Sequence, residues 1–172
     1  MFERYSDWAR RLIFMALWSA RRRGGPYIES EDLLHVLIRD DRGEFAAMSA
    51  EVFPEASCPI EIPGGSYRPF FAEDVARNLL RELHEDANFL NAEARSENRE
   101  PVPHVELPMS HSLKRVLALV AKAHRNDTKS IEPLDLLAAI LEDHDGRLAQ
   151  LLRDQGISRQ KVAKAINSES GV

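Results

Sequence analysis

One local pattern occurs twice in this chain and constrains its fold more than any other feature. Residues 27–48 read YIESEDLLHVLIRDDRGEFAAM, and residues 130–152 read SIEPLDLLAAILEDHDGRLAQLL. Each string predicts a helix start, an apolar helix, an acidic turn with a glycine and a second apolar helix. A pattern repeated in this way indicates two similar structural units.

A further helix is predicted before each of these strings. YSDWARRLIFMALWSARRR, from Tyr5, aligns with MSHSLKRVLALVAKAHRND, from Met109, and the apolar positions recur three and four residues apart. The aligned pairs are Ala9 and Leu113, Leu12 and Val116, Ile13 and Leu117, Ala16 and Val120, and Leu17 and Ala121. We expect Ser6 and Ser110 to cap these helices, and Ser30 to cap the next helix of the first unit.

The second helices of the two units align as well. Their paired positions are Leu33 and Leu136, Leu34 and Leu137, Leu37 and Ile140, and Ile38 and Leu141. Pro133 takes the first turn of its helix, where a missing N–H costs nothing. Gly43 and Gly146 follow the acidic turns, and a last helix is predicted from Ser158, as its cap, to Ile166.

Three helices this short cannot bury their apolar faces alone, whereas two such units packed together can share one core. We therefore predict an all-α fold: a pseudo-twofold tandem repeat of short-helix bundles within a single domain of residues 1–172. The first repeat covers about 1–50 and the second about 107–167.

The stretch of about 51–106 between the repeats is predicted to be an insertion. Residues 52–71 are rich in proline and glycine, which favours an irregular loop. A longer helix is predicted after this loop, because apolar residues follow at helical spacing. These residues are Val75, Leu79, Leu83, Ala87 and Leu90.

Composition and charge exclude several functional classes. A net charge of -5 gives no electrostatic reason to bind nucleic acid or an anionic membrane. Cys58 is the single cysteine, so no intramolecular disulfide can form. The start MFERYSDWAR has no signal-peptide core, and the longest apolar run, LIFMALW, is too short to span a bilayer. We expect a cytoplasmic protein.

Motifs that carry catalysis are absent from the sequence. It contains no G-x-x-x-x-G-K-[ST] phosphate loop, no H-E-x-x-H pair and no G-x-S-x-G elbow. The string EDHDG, which ends at Gly146, lacks the further ligands of a calcium loop. We therefore predict that the chain is not an enzyme and holds no cofactor or metal ion.

The two halves resemble the Clp N-terminal domain, the tandem-repeat, all-helical module at the front of Clp-type AAA+ unfoldases. The resemblance is carried by FERYSDWARR and YIESEDLLHVLIRDDRGEFAA in the first half, and by LPMSHSLKRVLALV and SIEPLDLLAAILEDHDGRLAQLLRDQGI in the second. It implies a docking platform for substrates or adaptor proteins, with an AAA+ unfoldase module in the same chain or in another. The insertion departs from this family, which has a shorter helix there.

The first helix carries Trp8, Met15 and Trp18 beyond its core stripe, so it is apolar on more than one face. The aligned residues of the second repeat are Ser112, Leu119 and Lys122. One interpretation is that the insertion covers this face through Phe70, Phe71, Leu79 and Leu83. The other is an exposed patch for unfolded or partner polypeptide. We favour burial with partial exposure of a tryptophan, and name Trp8, Met15 and Trp18 as candidate protein-binding residues.

The resemblance also implies a phosphoarginine site. Some members of the family bind phosphorylated arginine through a glutamate in each repeat, within the string GTEH. Here the string is ESED, so Ser30 and Glu31 are candidate binding residues, whereas the second repeat has EPLD with Leu134 at the glutamate position. A carboxylate can hold a guanidinium while hydroxyls and a helix start receive the phosphate. The alternative is that Glu31 only stabilises the helix dipole.

The sequence as a whole predicts a non-catalytic protein-interaction module that docks substrates or adaptors for a Clp-type AAA+ chaperone or protease. The partners implied are proteins, including phosphoarginine-bearing ones. A stand-alone adaptor or regulator that imitates the N-terminal domain is the alternative. A small hydrolase or a ligand sensor has no motif in its favour.

Overall fold

The computed structural model describes residues 2–52, 69–91 and 107–169. Regular structure in these ranges is helical, which confirms the all-α prediction. The helices are α1 (Asp7–Arg23), α2 (Ser30–Asp41), α3 (Phe45–Val52), α4 (Glu73–Asn91), α5 (His111–Ala123), α6 (Pro133–Glu142), α7 (Arg147–Asp154) and α8 (Arg159–Glu169). None of the helices within these ranges is both long and apolar enough to cross a membrane.

The first helix of each half is capped by a serine, as the sequence predicts. Ser6 Oγ accepts a hydrogen bond from the backbone N–H of Ala9 at 3.1 Å, and Ser110 Oγ accepts one from Leu113 at 3.2 Å. Ser158 caps α8 in the same way. Each bond satisfies one of the backbone donors that a helix leaves free in its first turn.

The prediction that Ser30 caps α2 is wrong. The cap is Glu29, and Ser30 is already the first helical residue. The Asp32 carboxylate reaches back to accept from the Glu29 backbone N–H at 2.9 Å, and this reciprocal bond sets the helix start one residue earlier. Helix α6 begins in the same way: Glu132 is its cap, its N–H donates to Asp135 at 2.8 Å, and a proline follows as predicted.

Two isolated parallel bridges connect the halves at the starts of these helices. Tyr5, just before the cap of α1, pairs with Ile131, just before the cap of α6. Ile28, just before the cap of α2, pairs with Met109, just before the cap of α5. The backbone hydrogen bonds of both bridges are 2.8–3.0 Å long. Each half thus pairs the start of its first helix with the start of the second helix of the other half.

One continuous cluster of buried apolar side chains runs through both halves. Helix α1 contacts α6, α5 contacts α2, and α2 and α6 contact each other. The largest fully buried side chains are Leu12, Leu33, Leu34, Ile38, Phe71, Leu79, Leu113, Ile131, Leu136, Leu137, Ile140 and Leu152. The exact repeat and domain boundaries stay predictions.

The insertion contributes α4, which packs against α1 and α2. Asp41, at the end of α2, accepts hydrogen bonds from the backbone N–H groups of Phe70 at 2.8 Å and Phe71 at 2.9 Å. Leu79 and Leu83 of this helix are buried. The predicted loop falls largely on residues 53–68, which lie outside the described residues, as do residues 92–106.

Candidate functional site in a cavity between the halves

A cavity of about 260 Å³ opens between the start of α2, the side of α5 and the turn from α6 to α7. Its lining combines three carboxylates and two guanidinium groups with apolar side chains, so the cavity carries charges of both signs. The lining residues are Ser30, Glu31, Ser112, Arg115, Val116, Ile140, Asp143, Asp145, Gly146, Arg147 and Leu148. Two residues proposed from the sequence, Ser30 and Glu31, therefore line one cavity.

Ser30 and Glu31 reach the cavity because they are the first two residues of α2, directly after its cap. Ser30 is 4 % exposed, and its Oγ lies 3.2 Å from Glu31 Oε2. The Glu31 side chain is 27 % exposed, so its carboxylate is sheltered yet accessible. A carboxylate placed in this way can accept hydrogen bonds from a cationic group that enters from solvent.

A group of serine hydroxyls connects α2 to α5 at the cavity wall. Ser112 Oγ lies 3.1 Å from Ser30 Oγ, 2.8 Å from Ser110 Oγ and 3.4 Å from Glu29 Oε2. The pairing positions α5 beside the start of α2. Because serine is small, it provides this contact and leaves the neighbouring volume open.

Arg115 and Asp143 form a fixed ion pair on another side of the cavity. Arg115 Nε and Nη2 donate to the two carboxylate oxygens of Asp143 at 3.1 and 3.2 Å. The Asp143 side chain is only 7 % exposed. A two-point guanidinium–carboxylate pair has a defined geometry, so the Arg115 head group is held in place.

The turn before α7 approaches Asp143 very closely. A Cβ atom at Gly146 would lie 2.7 Å from Asp143 Oδ2, which is below any normal contact distance. Glycine therefore lets this turn lie against the ion pair and fixes where Arg147 leaves the backbone.

Arg147 lies at the mouth of the cavity with its side chain 55 % exposed. Its Nε is 3.6 Å from Glu31 Oε1, which is longer than a normal hydrogen bond. The contact is an ion pair between partly exposed groups, and such pairs are weak. The Glu31 carboxylate is therefore accompanied by a cation but not closed off by it.

The aligned place in the first half is filled by Trp8. Its Nε1 donates to Asp40 Oδ2 at 2.9 Å, and its ring packs on Phe45 with 4.6 Å between ring centroids. In the sequence alignment Trp8 corresponds to Ser112, and Asp40 corresponds to Asp143. The Trp8 indole thus fills the space beside Asp40 and donates to its carboxylate. Beside Asp143 the space is open, and the carboxylate accepts from Arg115 instead.

The surroundings of Asp40 raise the pKa of its carboxyl group. Burial raises the pKa of Asp40 from 3.8 to about 6, the hydrogen bond from Trp8 lowers it, and the neighbouring Asp41 raises it. Burial dominates because a desolvated carboxylate favours its neutral form.

Other residues named from the sequence lie away from this cavity. Met15 is in the core with 6 % exposure, which does not suit a contact with a partner. Trp18 is partly buried, with the Arg21 guanidinium 5.4 Å from its ring centroid. Phe14 lies beside it along α1 and is 43 % exposed. The structure therefore does not bring the tryptophans together with Glu31.

Sequence reasoning missed three side chains that line the cavity: Arg115, Asp143 and Arg147. No periodic or motif signal marks them, because each belongs to an otherwise ordinary helix or turn. The useful signal was the comparison of Trp8 with Ser112, which places a small residue where the other half has a large one. Among the residues that the structure describes, no group of three or more His, Cys, Asp or Glu side chains is placed to hold a metal ion.

Sequence comparison alone does not place this chain: no protein-family model matches it, and no curated protein matches it significantly. Comparison of structures finds a match. The chain is similar to the crystal structure of the N-terminal domain of the caseinolytic protease associated chaperone ClpD from Arabidopsis thaliana. The TM-score is 0.60 at 21% identity, and the match covers 99% of this chain and 97% of the other.

The chain has the fold of a Clp N-terminal domain. Coverage of nearly the whole of both chains means that the likeness includes both halves. The cavity at Glu31 therefore lies between the halves of a Clp N-domain-like fold.

Proposed function

We propose that this Clp N-domain-like chain is a non-catalytic interaction module in the cytoplasm. It docks protein substrates or adaptors for a Clp-type AAA+ chaperone or protease. The fold supports a role in a Clp system, and the open cavity at Glu31 is the single observation that carries a specific docking site. The charges of both signs in its lining favour recognition of a charged side chain.

The ligand chemistry we propose for the cavity is a phosphorylated arginine side chain of a partner protein. Glu31 would accept hydrogen bonds from the guanidinium, because a carboxylate matches its planar donors. A volume of about 260 Å³ is below the roughly 300–1,000 Å³ of pockets for drug-sized ligands, so it suits one side chain. The mixed charge of the lining suits a group that carries both a cationic and an anionic end.

We propose one such site in the chain. At the equivalent place, Leu134 at the start of α6 takes the position of the glutamate in the alignment, and Trp8 of the first half fills the aligned volume. Glu132, the other carboxylate near that helix start, acts as the cap of α6, and its N–H is bonded to Asp135. One phosphoarginine per chain is therefore expected.

The experiment is a calorimetric titration with two peptides that differ only in phosphorylation of one arginine. The parent is expected to bind the phosphorylated peptide about tenfold more tightly or better. Glu31→Gln should lose this binding, because it removes the charge with little change of shape. Glu85→Gln, the matched control on the exposed face of α4, should bind like the parent.

Equal affinity of Glu31→Gln and the parent for the phosphorylated peptide would contradict the site, and so would no affinity in either. Circular dichroism of each variant is the control that checks whether the helices are retained.

Trp18 is a further proposed contact for protein partners. Trp8 is engaged inside the fold and Met15 is buried, so the proposal keeps only Trp18 of the three. An aromatic ring beside the exposed Phe14 offers apolar contact area. Trp18→Ala should weaken capture of a model unfolded protein without loss of helicity, and unchanged capture would contradict the contact.

A stand-alone adaptor that imitates the N-terminal domain is the alternative form of this function. Both forms use the same cavity, and they differ in where the AAA+ module is. The reading frame beyond INSESGV distinguishes them. An ATPase module there favours an N-terminal domain, and a stop codon favours an adaptor.

A further inference from the structure

The outer side of α5 carries positive charges without carboxylate partners in the described part of the chain. Lys114 and Lys122 on α5 and Arg125 just after it are exposed, and none of the three forms an ion pair with a described residue. Helix α5 itself contains no Asp or Glu. On α4, in contrast, Arg77 pairs with Glu73 at 2.8 Å. We call Lys114, Lys122 and Arg125 the basic face.

Lys114 lies where a positive charge is unfavourable. It is the fourth residue of α5, and the start of a helix carries a partial positive charge of its own. The aligned residue of the first half, Arg10, pairs with Asp7 in the first turn of α1. In α5 the position of that aspartate is taken by His111, so Lys114 lacks this compensation. The helix dipole explains cations near the end of a helix, but it does not explain Lys114.

The basic face is separate from the cavity at Glu31, because none of its three residues lines that cavity. Lys114 and Lys122 are eight positions apart, so they lie on the same side of α5 and about 12 Å apart along its axis. An extended chain covers this distance in about four residues. Arg125 continues the row past the end of the helix.

The charge of the whole chain indicates which kind of anionic partner fits. The net charge is -5, so the basic face is a local positive area on a negative molecule. Salt screens attraction between exposed charges beyond about 8–10 Å. A short acidic segment stays within the face, whereas a nucleic acid strand has a charge on every nucleotide and extends into the negative surroundings. Charge complementarity therefore favours a protein segment with a few carboxylates.

We propose that Lys114, Lys122 and Arg125 form a docking surface for an acidic segment of a partner protein. An extended stretch of about four or five residues with carboxylates at both ends matches the spacing of the cations. The inference does not depend on the proposed phosphoarginine site. It gives the chain a second contact, which recognises charge along a segment instead of one modified side chain.

The aligned positions of the first half do not form such a surface. Trp18 takes the position of Lys122. The guanidinium of Arg21, which aligns with Arg125, lies 5.4 Å from the ring centroid of that tryptophan. The row of exposed cations without carboxylate partners therefore belongs to the second half.

The test is an NMR titration of the ¹⁵N-labelled chain at low salt with a peptide of five glutamates. The backbone amide signals of Lys114, Lys122 and Arg125 should shift with this peptide and not with a peptide of five glutamines. Added salt should weaken the binding, because contacts between exposed charges are screened.

Reversal of one charge separates the basic face from the rest of the surface. Lys114→Glu should bind the glutamate peptide about tenfold more weakly, because an attractive contact becomes a repulsive one. It should also raise the melting temperature by about 1–3 °C, because a negative charge near a helix start is favourable. Lys164→Glu is the matched control: it changes the net charge equally at an exposed position of α8 and should bind like the parent.

Weaker binding by Lys114→Glu with unchanged binding by Lys164→Glu is the expected result. Equal weakening by both variants would overturn the inference, because net charge alone would then explain the binding. No binding by the parent, or equal binding of the glutamine peptide, would overturn it as well. A lower melting temperature of Lys114→Glu would mean that this lysine serves the fold. Tighter binding of a five-nucleotide single strand would overturn the choice of a protein segment.

Discussion

The two halves of this domain use one aligned place in opposite ways. In the first half, Trp8 packs on Phe45 and donates to Asp40, so the place is filled. In the second half Ser112 takes the position of the tryptophan, and a cavity of about 260 Å³ remains. The carboxylate persists at Asp143, where it is bonded to an arginine.

The difference shows how one local pattern can leave either a packed contact or an open cavity. The residue at the helix start changes together with the residue on the first helix of the other half. Glu31 of the first half lines the cavity with Ser112 of the second, and the aligned counterparts of these two residues are Leu134 and Trp8. Leu134 and Trp8 both pack against the hydrophobic cluster, whereas Glu31 and Ser112 line the cavity. The apolar residues Trp8 and Leu134 accompany the filled place, and the polar residues Glu31 and Ser112 accompany the open cavity.

The largest effect is expected when the filled side is made to resemble the open one. Trp8→Ser removes the ring contact with Phe45 and leaves Asp40 without the indole donor. We expect a loss of about 2–4 kcal/mol in the free energy of unfolding, since Trp truncations in cores cost about 3–5 and this ring is partly buried. Urea denaturation followed by circular dichroism measures it.

Ser112→Ala serves as the comparison for that experiment and should cost about 1 kcal/mol or less. A loss for Trp8→Ser no larger than that of Ser112→Ala would break the contrast between a packed and an open side.

The reciprocal substitution closes the open side. Ser112→Trp places an indole where the second half has its cavity, so the phosphoarginine peptide should bind at least about tenfold more weakly, or about 1.4 kcal/mol. Ala118→Trp is the matched control, because it adds the same ring on an exposed position of α5. Unchanged affinity in a folded Ser112→Trp protein would place the peptide elsewhere.

The smallest effect concerns pH and the filled side. The pKa of Asp40 is about 6 in the folded protein and near 3.8 in the unfolded chain, so the folded state binds this proton more tightly. The resulting stabilisation is complete below about pH 4 and is lost as the pH rises through about 6. After allowance for partial solvent access we expect this to change the free energy of unfolding by about 1 kcal/mol.

Asp40→Asn keeps an acceptor for Trp8 and removes the titration. Denaturation at pH 4.5 and pH 7.5 should therefore show a smaller difference between the two pH values in the variant than in the parent. The same difference in both proteins would mean that Asp40 does not titrate in this range.

Much of the fold follows from local sequence rules. Ser6 and Ser110 precede apolar stripes with ordinary capping geometry, and both caps are confirmed. The prediction of Ser30 as a cap was wrong because it relied only on the preference of serine for cap positions. In the structure the Asp32 carboxylate accepts a hydrogen bond from the backbone N–H of Glu29, and Glu29 is the cap. Residue preference at a helix start is a weak guide when a second side chain competes for it.

The cavity was less predictable because its parts are distant in the chain. Glu31 comes from α2, Ser112 from α5 and Arg147 from the start of α7, and only the packing of the halves brings them together. The sequence predicts that Glu31 lies at a helix start. It does not predict the contact with Arg147, because that residue is 116 positions further along the chain. Tertiary packing decided which charges meet.

The central claim is that partners are recognised at the open cavity lined by Glu31 and Ser112, and not at the equivalent place that Trp8 fills. The most direct test is an NMR titration of the ¹⁵N-labelled chain with the phosphoarginine peptide. The account predicts that the backbone amide signals of Ser30, Glu31, Ser112 and Arg147 shift while the indole signal of Trp8 stays in place. Shifts centred on Trp8 and Phe45, or no shift at any of these residues, would contradict it.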